Sequence, residues 1–234
     1  MTRTAIVGLA HGSRHPGVRG PIDDLMAATA ELAGAPARAA YLDLTEPGLD
    51  TVVGELVADG IERAAIVPLL FTNAFHARTD VPATVAAAGA DRGCDLVTAD
   101  ILGTGDDVLS VVESIVDEAG IAADLPVLLY AVGSSDDSAN AAVEAFAHRL
   151  GGRRGTAARA AFGTTDPRPQ TVLPELVSDA PEGGVVALVP LFVSPGLLLD
   201  PLACLARDRG YPLTPPLGHR LAPVVAARAT AALG

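Results

Sequence analysis

The sequence predicts an α/β protein made of two similar domains, residues 1–122 and 123–234, each a parallel sheet of about four strands flanked by helices. Two observations predict it. Short apolar runs alternate with stretches whose apolar residues recur every three or four positions, and the second half of the chain repeats the first in register.

Taken in order, Thr4 to Ala10 is a short apolar run closed by His11, Gly12 and Ser13, which reads as a buried strand running into a loop. Ile22, Leu25, Met26, Thr29 and Leu32 then lie on one helical face, with Gly34 and Pro36 as the stop. Residues 37–42 form a second strand. Thr45, Glu46 and Pro47 open a helix whose apolar face is Leu49, Val52, Val53, Leu56 and Val57. Residues 64–70 are a third strand, 71–78 a loop, 81–88 a short helix, 95–99 a fourth strand and 106–119 a further helix. Alternation of this kind builds a parallel sheet with helices on both faces.

The repeat has an offset of 121: Ala10-His11-Gly12-Ser13 matches Ala131-Val132-Gly133-Ser134, and ARAAY at 37–41 matches ARAAF at 158–162. Glu46-Pro47 matches Asp166-Pro167, and Val67-Pro68-Leu69 matches Val189-Pro190-Leu191. A short linker at 120–125 joins the halves.

Composition excludes several functions. All 16 basic residues are arginine, so Schiff-base chemistry and a Walker A phosphate loop, both of which need lysine, are ruled out. A net charge of −12 and only 3% aromatic residues oppose a nucleic-acid surface or an anionic membrane as partner. Cys94 and Cys204 stand far apart without metal-ligand spacing, which fits a reducing compartment, and the first apolar run is too short to cross a membrane. A cytoplasmic protein is expected; oligomeric state is not legible.

Ligands of open parallel sheets bind at the carboxyl ends of the strands. His11 ends the first strand, Asp43 ends the second with Glu46 close behind, and His76 lies in the loop after the third. The repeat places Val132 and Leu198 where the imidazoles would be, so the second half is read as structural, with those two residues as apolar filling. Two imidazoles near carboxylates, without thiolate, suit Fe, Co, Ni or Zn, and a two-histidine set leaves coordination positions open. His15, His148 and His219 lack that placement.

AHGSR at 10–14, YLDLTEP at 41–47 and VPLLFTNAFHARTDVP at 67–82 resemble the sirohydrochlorin chelatases, and the degenerate second half resembles the duplicated, two-domain form of that family. The resemblance implies flavodoxin-like domains and insertion of Fe2+ or Co2+ into a tetrapyrrole, in sirohaem or cobalamin biosynthesis. The metal is then a substrate, with no tightly bound cofactor. It also implies that His11 and His76 hold the metal and accept protons. Asp43 departs from the family's usual Glu, so Asp43 or Glu46 is the expected working carboxylate. Sirohydrochlorin is a polycarboxylate, for which Ser13, Arg14, Arg19, Asn73 and Arg78 are the expected contacts.

Two other readings use the same residues. A carrier of metal or tetrapyrrole needs the histidine pair without turnover. A histidine phosphatase places His-Gly at the end of its first strand, but its motif has Arg before the His, where this chain has Ala10.

Overall fold

The computed structural model describes residues 2–72, 80–90 and 92–234. His76, Asn73 and Arg78 lie outside the described residues. Two compact units emerge, Met1–Gly103 with Gly218–Gly234, and Thr104–Leu217.

In the first unit four parallel strands, β1 (Thr4–Ala10), β2 (Ala37–Tyr41), β3 (Arg63–Pro68) and β4 (Asp95–Thr98), lie in the order β2-β1-β3-β4. β1 is paired on both sides and covered on both faces, which explains its nearly continuous apolar sequence. Ala5, Val7 and Leu9 join a core with α2 (Leu49–Ala58) and α3 (Val81–Gly89). The alternate residues face α1 (Arg19–Ala33), and at Gly8 a Cβ would lie 2.4 Å from the Met26 sulfur, so glycine lets that helix approach. Strand order turns at β1, and in open parallel sheets such a switch point, at the carboxyl ends of the strands, is where ligands bind.

In the second unit β5 (Val127–Ala131), β6 (Ala158–Phe162) and β7 (Ala187–Pro190) form a three-stranded parallel sheet, β6-β5-β7. The expected fourth strand shrinks to a single bridge between Leu188 and Leu213. Pro212, Pro215 and Pro216 remove the donors a longer ladder would need. Helices α6 (Pro169–Asp179) and α7 (Asp200–Arg209) share a core with Leu128, Tyr130 and Leu188.

The last helix of each sequence half belongs to the other compact unit. α4 (Asp106–Glu118) packs with α5 (Asp137–Arg154), where Arg149 pairs with Asp106 at 3.2 Å and Arg153 with Glu113 at 2.8 Å. α8 (Ala222–Leu233), entered through a 3-10 turn at Gly218–Leu221, packs on α1 and β3. Arg228 donates to the carbonyls of Ile101 (3.0 Å) and Leu102 (2.9 Å), and Arg63 donates to that of Leu233 (2.9 Å). Compactness and the sequence repeat therefore divide the chain at different places.

Leu32 is a correction to the helical face read from sequence: it is 60% exposed, because it falls in the last turn of α1, past the four residues that meet the sheet. Val57, at the end of α2, is exposed as well. Among the described residues no helix is long and apolar enough to cross a membrane.

Candidate functional site at the carboxyl edge of the first sheet

Hydrogen bonding between β1 and β2 continues past the strands. Leu42 N–H donates to the Ala10 carbonyl at 2.9 Å and Asp43 N–H to the His11 carbonyl at 3.0 Å. The parallel ladder thus carries His11 and Asp43, both exposed, to the same edge. Gly12 has φ +93°, and a Cβ there would sit 1.8 Å from the Asp43 carbonyl oxygen, so only glycine allows this crossing.

Thr45 locks the two loops together. Its Oγ1 accepts the Ser13 N–H at 3.0 Å and donates to the Ser13 carbonyl at 2.9 Å. Thr45 was absent from the expected site; the one signal for it is Thr165 in the matching turn of the second half. Ser13 Oγ accepts the His15 N–H at 3.1 Å, and His15 Nδ1 accepts the Gly17 N–H at 3.0 Å, which braces the loop before α1.

The two carboxylates differ in their engagements. Asp43 Oδ1 accepts the Leu44 N–H at 2.8 Å at the strand end, whereas Glu46 Oε2 accepts the Gly48 N–H at 3.0 Å, where Gly48 caps α2. Between them Leu44 takes φ +61° with 46% of its surface exposed, a left-handed conformation that costs a side chain roughly 1–2 kcal/mol. It is the one non-glycine residue with positive φ among the described residues.

Arg14 is exposed in the loop, and Arg19 is the exposed first residue of α1. Tyr41 lies beneath that helix start. Burial pushes its phenol up, Asp23 adds to the shift and Arg19 opposes it. The hydroxyl is buried with no hydrogen-bond partner among the described residues.

The second unit repeats the scaffold with Val132 and Thr164 in the places of His11 and Asp43. Thr164 N–H donates to the Val132 carbonyl at 2.9 Å, as Asp43 does to His11, and Gly133 has φ +90°. Val132 is 44% and Leu198 36% exposed, so they are not apolar filling: Val132 directly follows β5 and Leu198 lies in the turn before α7, both outside the core. Tyr130, its phenol pushed up by burial, donates to the Leu198 carbonyl at 3.0 Å. Among the described residues no three His, Cys, Asp or Glu side chains are grouped to hold a metal ion.

The CbiX family model matches residues 5–119 and 126–203. The chain belongs to the CbiX family. Its fold is similar to that of SirB from Bacillus subtilis with Fe3+ (TM-score 0.74, 22% identity, 99% of this chain and 94% of that one). It is equally similar to the sirohydrochlorin chelatase SirB from Bacillus subtilis subspecies spizizenii in complex with cobalt (TM-score 0.74, 23% identity, 99% and 94%). CbiX, the terminal enzyme for biosynthesis of siroheme in denitrifying bacteria, aligns at TM-score 0.66 and 23% identity over 99% of this chain and 100% of that one. No curated protein sequence matches the chain.

Proposed function

We propose that this CbiX-family protein inserts a divalent metal, Fe2+ or Co2+, into sirohydrochlorin, in sirohaem or cobalamin biosynthesis. The observation that carries the reading is the pairing of His11 with Asp43 at the switch-point edge of a CbiX-family sheet. Solved proteins of similar fold support it, one named a sirohydrochlorin chelatase and holding cobalt, another holding Fe3+. The halves 1–122 and 123–234 are read as products of duplication, with the working site in the first.

Insertion breaks two pyrrole N–H bonds, forms bonds from the metal to the ring nitrogens, and releases two protons without any change of oxidation state. The protons need bases that titrate near neutrality, and an ordinary imidazole, at about 6.5, meets that need. His11 is exposed at the strand end, reachable by a macrocycle laid across the edge. With His76 it would hold the incoming ion through an incomplete ligand set and release it to four ring nitrogens. Asp43 spends one oxygen on Leu44 N–H, and its second oxygen is left to orient an imidazole or take its proton. Glu46 likewise spends one oxygen, on Gly48 N–H, but it is Asp43 whose backbone is laddered to His11, so Asp43 is the working carboxylate in this scheme. Arg14 and Arg19, with Asn73, Arg78 and the Ser13 loop, would meet the peripheral carboxylates of the ring.

Multiple-turnover metallation tests the reading. With macrocycle and metal in excess over protein, product should form well beyond one equivalent, faster than in the uncatalysed reaction. A single equivalent bound without further turnover would make the protein a carrier.

A further inference from the structure

We infer that Leu44 seats the conjugated face of the macrocycle over His11 and Asp43, an inference that rests on the chelatase reading above. The turns that follow β2 and β6 are built alike. Asp43 N–H meets the His11 carbonyl as Thr164 N–H meets the Val132 carbonyl, and Thr45 lies against Gly12 as Thr165 lies against Gly133. Between Asp43 and Thr45 the first turn holds one more residue, whereas Thr164 and Thr165 are adjacent. That extra residue is Leu44. The turn that carries the carboxylate, laddered to the loop that carries the imidazole, therefore also carries an added apolar side chain.

The backbone conformation at this place disfavours leucine. The φ of +61° favours glycine or asparagine, and nearly half the side chain faces solvent. The conformation is nevertheless held from both sides, by Asp43 Oδ1 on the Leu44 N–H and by the paired bonds of Thr45 to Ser13. Strain fixed in this way at a reactive edge is a means of presenting a side chain. Arginines can grip the rim of a polycarboxylate ring but leave its apolar face in water. An alkyl group one residue from Asp43 supplies a surface for that face and excludes water from the nitrogens being deprotonated.

The test uses the full chain with Leu44→Asn, which suits the left-handed backbone and removes the apolar surface, and with Leu44→Met, which keeps an apolar side chain. Leu32→Ala, at an exposed leucine in the last turn of α1, is the control. Metal-free sirohydrochlorin is titrated by absorbance, and KM is measured separately for macrocycle and metal. Leu44→Asn should weaken macrocycle binding and raise its KM about tenfold, as loss of one buried alkyl contact does. The metal KM and the melting temperature should hold, and Leu44→Met and Leu32→Ala should match the unaltered protein. Unchanged macrocycle affinity in Leu44→Asn, with the parent protein active, overturns this inference and leaves the chelatase reading standing. A parent protein that neither binds nor metallates sirohydrochlorin overturns both.

Discussion

The backbone N–H of Asp43 donates to the carbonyl oxygen of His11 at 3.0 Å, so the carboxylate and the imidazole are placed by one ladder of main-chain bonds between β2 and β1. Their separation is thereby tied to sheet register rather than to loop conformation, the kind of rigid support that positioned chemistry needs.

Gly12 is the hinge of that arrangement. Gly12→Ala would force a Cβ against the Asp43 carbonyl at a φ of +93°, and should cost about 1–3 kcal/mol in urea unfolding along with most of the activity. Gly20→Ala, in α1 with open space around it, should be neutral or stabilising by up to about 1 kcal/mol.

Asp43 and Glu46 should separate in rate. Asp43→Asn is expected to slow metallation by roughly 10 to 100-fold at unchanged stability, as removal of a carboxylate partner of an imidazole does. Glu46→Gln should cost at most about 1 kcal/mol at the start of α2 and leave the rate intact. Rates across pH 6 to 9 check both; the reverse pattern would move the proton relay to Glu46.

The buried phenols give opposite expectations. Both are pushed up by burial, so the contribution of each to stability is complete below about pH 10 and is lost as pH rises through the folded value. Tyr41→Phe removes a hydroxyl with no partner among the described residues and should be neutral or stabilising, while flattening the alkaline loss. Tyr130→Phe strips the Leu198 carbonyl of its donor and should cost about 1 kcal/mol. Thermal melts between pH 7 and 11 read both.

Much of the edge was legible in the residues. A continuous apolar run such as Thr4 to Ala10 has few alternatives to a buried strand, and His11-Gly12-Ser13 at its end reads as a loop, though the close crossing of Gly12 over Asp43 shows only in the fold. The repeat located Val132 opposite His11 but not its exposure, because a pattern of residue types does not say where a sheet edge stops. The helix at 106–119 was legible but α8 was not read, and what α4 and α8 pack against depends on tertiary partners such as Arg149 with Asp106 and Arg228 with Ile101. Leu44 gave no signal, since leucine is a poor marker of a left-handed turn. Thr45 acts through a side-chain bond to a residue 32 positions away, beyond the reach of local pattern.

The most direct test of the central claim is the initial rate of sirohydrochlorin metallation with Fe2+ and with Co2+, followed by absorbance under anaerobic conditions, for the parent protein and for His11→Ala. The parent rate should lie well above the uncatalysed one, and His11→Ala should lose on the order of 100-fold or more with its melting temperature preserved. A folded His11→Ala protein that metallates at the parent rate would contradict the claim.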